Sequence, residues 1–169
     1  NAGASGNGAV NVTSASAIQL DTLDTTGSGT VAITTSSGNI QLGDGSSTAI
    51  DNAGTGAMTI TSAGNIDVTA AFDHDGAITL VSGADGSAGK IYGDSVIKSA
   101  GALTLRSDMI DDDGDSSDDA SAFKVDSASL VVDVDGASSA NGVLITSVGA
   151  ITLADLDSAG ARNIAITTT

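Results

Sequence analysis

The sequence of 169 residues lacks cysteine, proline and tryptophan, and its aromatic residues are limited to two phenylalanines and one tyrosine. Without cysteine, neither a disulfide framework nor a cysteine metal site can form. With so few aromatic residues, the chain lacks the large side chains that usually fill the centre of a globular domain. The core must therefore consist of many small aliphatic groups, which favours a protein of thin cross-section.

Positive charge is also scarce. Five lysines and arginines stand against 21 acidic residues, all of them aspartate, and the formal net charge is −16. This composition excludes a basic nucleic-acid-binding surface, and no run of about 18 apolar residues is present to span a bilayer. Glutamate is absent and the other polar helix formers, lysine, glutamine and arginine, are few, whereas poor helix-interior residues such as glycine, serine, threonine, aspartate and asparagine abound, so we expect no helical architecture. The hydrophobic fraction of 40% and the positive mean hydropathy argue against disorder.

One short phrase recurs along the chain: a small residue or two, followed by alternating apolar and polar residues. It occurs seven times at intervals of 20 to 27 residues, which is the property of a repeat protein. The phrases are GAVNVT from Gly8, GTVAIT from Gly29, GAMTIT from Gly56, GAITLV from Gly76, GALTLR from Gly101, ASLVVD from Ala128 and GAITLA from Gly149.

The alternation has the two-residue period of a strand with one buried face. The predicted inward pairs are Val10/Val12, Val31/Ile33, Met58/Ile60, Ile78/Leu80, Leu103/Leu105, Leu130/Val132 and Ile151/Leu153. A second strand is indicated by Ile18, Leu20, Ile40, Leu42, Ile66, Val68, Ile91, Ile110, Ile164 and Ile166. A third apolar patch in the longer units comprises Ile50, Val96, Ile97 and residues 123–125.

Two or three short strands in each repeat of this length predict one coil of a parallel β-helix. We therefore expect an all-β fold: a parallel β-solenoid of about seven coils with variable corner loops, forming one domain over residues 1–169. The missing proline fits this fold, because nearly every strand residue must donate its N–H to the neighbouring coil. The alternative is a tandem pair of immunoglobulin-like sandwiches, which commonly have an aromatic core.

The phrases GAITL, GALTL and GAMTITSAGNI resemble the repeats of filamentous-haemagglutinin-like exoproteins, the bacterial surface adhesins exported by two-partner secretion. The resemblance extends over nearly all of the chain and is weakest near residues 111–119. It implies a right-handed β-helical shaft, an extracellular or cell-surface location, and a role in adhesion or matrix attachment. The sequence begins at Asn1 and shows no signal peptide, so we expect a segment of a longer or polymeric assembly.

Three stretches of the form D-x-D-G begin at Asp73, Asp111 and Asp133. Alternate carboxylates with a glycine that permits a sharp turn suit calcium coordination, although none completes the EF-hand pattern. For the densest stretch we favour a solvated corner insertion whose acids serve solubility, and the alternative is a calcium site. Its candidate ligands are Asp111, Asp112, Asp113, Asp115, Asp118 and Asp119.

Catalysis is not expected from this composition. A β-helical polysaccharide lyase needs a cation beside its carboxylates, and the available cations, Lys90, Lys98, Lys124, Arg106 and Arg162, lie in no recognisable motif. His74 is the only histidine, and its position between two aspartates before a strand predicts an exposed turn residue. Phe72, Tyr92 and Phe123 are the aromatics available for a sugar cleft, and the last two are expected to plug wide coils.

The outward positions of the repeated phrase bear on ice binding, because several β-helical proteins bind ice through regular ladders of threonine. These positions are Asn11, Ala32, Thr59, Thr79, Thr104, Val131 and Thr152. Because only some are threonine, ice binding is not favoured and exposed-strand propensity explains them.

The sequence therefore predicts a non-catalytic structural or adhesive shaft segment of a secreted bacterial surface or filament protein. The alternatives are a calcium-stabilised module that binds a glycan or surface, and a β-helical polysaccharide-active enzyme. The expected partners are further copies, joined end to end or side by side, and a host or matrix glycan or protein. No nucleic acid and no membrane insertion are expected.

Overall fold

The computed structural model describes residues 8–46, 48–84, 88–113, 121–134, 141–159 and 163–169. These residues form sixteen β-strands, and no helix occurs in the described ranges. In chain order the strands are β1 (Val10–Ser14), β2 (Ile18–Leu20), β3 (Val31–Thr35), β4 (Ile40–Leu42), β5 (Ile50–Asn52), β6 (Met58–Thr61), β7 (Ile66–Val68), β8 (Phe72–His74), β9 (Ile78–Val81), β10 (Lys90–Tyr92), β11 (Val96–Ser107), β12 (Met109–Asp111), β13 (Phe123–Val134), β14 (Asn141–Ser147), β15 (Thr152–Ser158) and β16 (Asn163–Thr168).

The chain winds as a β-solenoid of about six turns, in which each strand pairs in parallel with a strand of the next coil. The first ladder of strands is β1-β3-β6-β9-β11-β13-β15. The second is β2-β4-β7-β10-β12-β14-β16. The third is β5-β8-β11-β13-β14. The all-β solenoid prediction is confirmed, and the sandwich alternative fails because its sheets would be antiparallel.

Three strands, β11, β13 and β14, serve two ladders each. β11 pairs with β8 through Ile97 and with β9 through Leu103, and its pairing with β13 is interrupted between Ser99 and Ala102. This interruption is where the strand turns the corner from the third ladder into the first. A corner that bends an extended strand lets repeat length vary without breaking the stack above and below it.

Aliphatic side chains stack in register along the inside of each ladder. The first column of the first ladder is Val10, Val31, Met58, Ile78, Leu103, Leu130 and Leu153. The corresponding column of the second ladder is Ile18, Ile40, Ile66, Ile91, Ile110, Val143 and Ile164. Each of these residues lies about 4.8 Å from its neighbours along the rod axis, the spacing of hydrogen-bonded strands.

Burial follows position along the rod. Ile60, Leu80 and Leu105 in the central coils are 0% exposed, whereas Val12 is 42% exposed and Leu153 is 43% exposed. All five belong to the inner columns of the first ladder. The two exposed ones lie in the first and last described coils, where a neighbouring coil covers only one side. The predicted inward set is therefore confirmed in the central coils and only half-covered in the outer two.

The predicted register of the last coil is wrong. Ile151 and Leu153 were expected to follow Leu130 and Val132, but the structure pairs Leu130 with Leu153 and Val132 with Leu156. An irregularity after Leu130 adds one residue to β15, and Ile151 lies before the strand. Thr152 consequently pairs with Ser129, and Asp155 takes the outward place beside Val131. A β-bulge of this kind leaves no trace in an alternating sequence pattern.

The third patch forms a buried column with the two phenylalanines. Ile50, Phe72, Ile97 and Val125 stack in register, and Phe123 is 0% exposed beside them. Phe123 fills the interior of its coil, as expected. Tyr92 does not plug the stack: it points outward from β10 and is half-buried.

The stacking predicts a large penalty for shortening one central aliphatic residue. Leu105→Ala is expected to lower the free energy of unfolding by about 2–5 kcal/mol, because a cavity would remain inside a narrow coil. Urea denaturation followed by circular dichroism measures this change. The matched control is Thr104→Ala, one residue away and facing outward, for which less than about 1 kcal/mol is expected. Equal losses for the two variants would contradict the inward column.

Candidate functional site: an acidic cleft beside Tyr92

Three of the six predicted calcium ligands lie at the end of the second ladder's strand β12. Asp111 is the last residue of that strand and is buried, and Asp112 and Asp113 follow it. The other three, Asp115, Asp118 and Asp119, lie outside the described residues. The structure therefore locates one half of the predicted site and places it at a corner of the solenoid.

Asp112 and Asp113 open onto a cleft with a volume of about 370 Å³. Its acidic and aromatic lining comes from three successive coils: β7, the end of β10 with the turn after it, and the turn after β12. The lining residues are Gly45, Asp67, Val68, Thr69, Tyr92, Gly93, Asp94, Asp112 and Asp113. Asp67 and Asp94 were not singled out from the sequence, because their proximity follows from coil register rather than from a local motif.

The register of the second ladder explains how the cleft forms. Tyr92 pairs with Asp67 on one side and with Asp111 on the other, so the phenol stands between two carboxylates in one outward column. Gly93 follows with a φ of 142°, and a Cβ there would lie 2.2 Å from the carbonyl oxygen of Val68. Only glycine fits that close approach, and it gives the chain room to turn away beside Tyr92.

The carboxylates and the phenol disfavour one another's ionisation. Burial, and then the charge of Asp94, raise the pKa of Asp67 above its ordinary value. Burial, and then the charge of Asp67, raise the pKa of Tyr92, against a smaller opposing effect of a hydrogen bond with Asn65. At neutral pH the cleft is therefore a concentration of negative charge that favours a cationic ligand.

The cleft does not hold a ready-made metal site in the described part of the chain. Among those residues, no three histidine or aspartate side chains come close enough together to ligate one ion. The predicted calcium ion at Asp111, Asp112, Asp113, Asp115, Asp118 and Asp119 thus stays a prediction.

The two other D-x-D-G stretches pair with basic residues of the next coil. Asp73 Oδ2 lies 2.5 Å from Lys98 Nζ, and Asp133 Oδ2 lies 3.4 Å from Arg106 Nε. The hydrogen bond and charge of Asp73 raise the pKa of Lys98, with smaller contributions from Asp126 and Asp75. Exposed pairs of this kind contribute little stability. The two ion pairs nevertheless place scarce positive charges beside stacked aspartates, whose negative charge they neutralise.

His74 is not the exposed turn residue that its neighbours suggested. It is 1% exposed, because it is the inward-facing last residue of β8 and pairs with Asn52 of β5. Its Nε2 lies 2.8 Å from the carbonyl oxygen of Gly56 and its Nδ1 lies 2.9 Å from Asn52 Nδ2. The carbonyl can only accept, so Nε2 carries the proton and Nδ1 accepts from the amide. The prediction failed because Asp73 and Asp75 face outward while the residue between them faces inward.

A polar column continues through the interior from this histidine. Asn52 Oδ1 accepts from the backbone N–H of Thr25 at 2.7 Å and from its hydroxyl at 2.8 Å. On the other side, Ser99 pairs with His74 and donates to the carbonyl of Gly76 at 2.9 Å. Each side chain satisfies a carbonyl or an amide that the corner leaves unpaired, as buried polar groups must. His74 is thus occupied in the interior and does not reach a substrate.

No helix of the described residues has the length and apolar character needed to cross a bilayer. Comparisons of the chain with protein-family models, with curated proteins and with solved structures find no match. The resemblance to the haemagglutinin-like repeats accordingly stays a prediction from the sequence.

The polar column predicts that Asn52 stabilises the fold although it adds no apolar surface. Asn52→Ala would leave the Thr25 amide and His74 Nδ1 buried without partners, so we expect a loss of about 2 kcal/mol or more in the free energy of unfolding. Thermal and urea denaturation measure it. Asp51→Ala, on the exposed side of the same strand, is the control and should change stability by less than about 0.5 kcal/mol. An Asn52→Ala variant as stable as this control would refute the column's role.

The raised pKa of Asp67 predicts that removing its carboxylate increases the stability of the fold by an amount that depends on pH. The raised pKa of Asp67 means that folding favours its protonated form, so the ionised form destabilises the fold at neutral pH. Asp67→Asn should be more stable than the parent at pH 7, by less than about 1 kcal/mol because the residue is half-exposed and screened by water. The gain should shrink as the pH falls to about 3.9, the ordinary value of aspartate in an unfolded chain. Asp24→Asn, exposed elsewhere, controls for the lost charge, and an equal gain in both would contradict the local effect.

Proposed function

We propose that this chain is a non-catalytic structural or adhesive shaft segment of a secreted bacterial surface protein or extracellular filament. The observation that carries the proposal is the parallel stack of seven strands in the first ladder, whose register shifts only after Leu130 and at the corner between Ser99 and Ala102. Each coil adds about 4.8 Å to the length of the rod, so a solenoid of this kind forms an extended shaft. We also infer a right-handed sense, the rule for parallel strands joined by crossovers.

The distribution of basic residues supports a non-catalytic role. Lys98 and Arg106 pair with Asp73 and Asp133, and Lys124 Nζ donates to the backbone carbonyl of Asp94 at 3.1 Å. In the described part of the chain, Lys124 is the one of these three cations that contacts a residue lining the acidic cleft, and it does so through a backbone carbonyl and not a carboxylate. A lyase or hydrolase of acidic polysaccharides would bring a cation and a carboxylate together where the sugar binds.

An extracellular position and self-association belong to the same proposal. The acidic exterior keeps rods soluble and holds their sides apart, since like charges repel across the short distance of a lateral contact. Partners that join copies end to end, or divalent cations that bridge acidic sides, would overcome this repulsion. A host or matrix glycan or protein is the further partner that an adhesive shaft would meet.

The second candidate is a calcium-stabilised module that binds a glycan or surface. The observation that favours it is the convergence of Asp67, Asp94, Asp112 and Asp113 on one cleft. This candidate predicts stabilisation by mass action, about 2.7 kcal/mol at a calcium concentration one hundred times the dissociation constant. The shaft proposal does not need that gain.

One set of measurements tests the proposal. Purified chain is viewed by negative-stain electron microscopy and melted with Ca²⁺, Mg²⁺ or chelator, and a panel of neutral, acidic and sulfated polysaccharides is tested for binding and for cleavage. We expect slender rods, no cleavage, and no glycan binding that requires Asp112 or Asp113.

Two results would overturn the shaft proposal. Saturable glycan binding that needs calcium and disappears in a variant carrying both Asp112→Asn and Asp113→Asn, but not in Asp51→Asn, would establish the second candidate. Release of saccharide products, abolished by substitution of a single aspartate, would establish the enzyme.

A further inference from the structure

The first four strands of the first ladder present a surface unlike the rest of the chain. β1, β3, β6 and β9 contain no charged residue, although the whole chain carries 21 acidic ones. Along each strand the outward side chains alternate with the inward aliphatic ones. Across the strands the outward side chains form two parallel columns. Five of the eight places are threonine, and we call this surface the threonine face: Thr13, Thr34, Thr59, Thr61 and Thr79.

One of these two columns consists of the first outward residue of each strand. Asn11, Ala32, Thr59 and Thr79 form it, and read alone they are irregular. The pairing adds the second column, in which Thr13, Thr34 and Thr61 follow one another before Val81. Two columns side by side make a two-dimensional array, which a single line of residues does not reveal.

The hydroxyls of the threonine face do not bond to other described protein groups, whereas three threonines at the corners of the coils do. Thr25 Oγ1 donates to Asn52, Thr35 Oγ1 donates to the carbonyl of Gly38, and Thr69 Oγ1 donates to the carbonyl of Leu42. Those three lie at corners, where they satisfy the backbone. The hydroxyls of the threonine face instead point to solvent with their bonding capacity left for a ligand.

The array is rigid and regular. The pairings β1 to β3, β3 to β6 and β6 to β9 run without a register shift. Neighbouring places are therefore about 4.8 Å apart along the rod and about 6.7 Å apart across it. A β-branched side chain on a strand has few rotamers, so each hydroxyl and methyl is held in a fixed direction. Binding to this face costs little side-chain entropy.

Several classes of ligand do not match this surface. A charged ligand finds no charge on the four strands, and a sugar finds no aromatic ring, because Phe72 and Phe123 are buried and Tyr92 lies on the second ladder. The face covers on the order of 250 Å² by its strand spacings, well below the area of about 800 Å² that each partner contributes to a stable protein interface.

We propose that the threonine face binds ice. Planes of hexagonal ice repeat their oxygen atoms at distances similar to both spacings of the array, so fixed hydroxyls can occupy lattice positions while the methyl groups fit between them. The absence of charge matters here, because an ion holds a hydration shell that is incompatible with the lattice. The face ends at the fifth strand, where Arg106 and Asp133 replace the uncharged column.

The test is partition of the full 169-residue chain into a slowly growing ice hemisphere, with thermal hysteresis and ice-recrystallisation assays as further readouts. The parent chain should be enriched in the ice and should keep ice grains small. Thr59→Tyr, which places a bulky ring at the centre of the array, should reduce enrichment to the level of an excluded dye. Thr167→Tyr, on β16 and outside the threonine face, should bind as the parent does. Circular dichroism and melting establish that both variants fold.

Two outcomes would overturn the proposal. The first is a folded parent chain that the ice excludes. The second is a folded Thr59→Tyr variant that enters the ice as well as the parent, which would place any ice affinity elsewhere. Thr61→Lys gives an independent check, since its added charge should abolish binding through hydration and not through bulk.

Discussion

The fold depends on parallel hydrogen bonding between each coil and the next. Because every strand must offer all its donors and acceptors to the coils above and below, each residue's neighbours are decided by register. Val31, Met58 and Ile78 are far apart in sequence and directly stacked in space. The same constraint assembles the acidic cleft, the internal polar column and the threonine face, none of which comes from a contiguous motif.

The alternating phrases were sufficient to predict the ladders, because a two-residue period and a repeat of 20 to 27 residues leave few other windings. Interior columns in the central coils follow from the same pattern. What failed depended on information that the alternation does not carry. Leu153 occupies the place expected for Ile151, and the bulge that follows it in β15 brings Leu156 opposite Val132. His74 was misplaced because its charged neighbours were taken as evidence for its own exposure.

The candidate site was predicted less well than the fold. Asp111, Asp112 and Asp113 were found from local density of carboxylates, a signal that needs no structure. Asp67 and Asp94 belong to the same cleft, and finding them would have required aligning the second strand of each coil, where Asp67 and Tyr92 occupy one column. In a repeat protein, the residues of one site are therefore found by aligning the coils and comparing the residues that share a position.

The polar column inside the solenoid finds its hydrogen-bond partners within the protein. Inside, Thr25, Asn52 and His74 are joined by side-chain hydrogen bonds, and His74 and Ser99 each bond to a corner carbonyl, so a channel that would otherwise hold only aliphatic groups contains a line of hydrogen-bonded polar groups. Such a line penalises a slip of one coil against another, because any other register leaves a buried donor or acceptor unpaired. Aliphatic columns tolerate slippage between similar side chains far better.

The absence of charge from one flank of the first four coils gives the rod an electrical asymmetry at right angles to its axis. The aspartates of β5, β7 and β8 lie on the other two flanks. Near an anionic wall, such a body experiences a torque that rotates its bare flank inward, and near a cationic wall the rotation reverses. Orientation about the long axis is thus selected before any specific contact is made, over distances of roughly one Debye length, about 8 Å at physiological ionic strength.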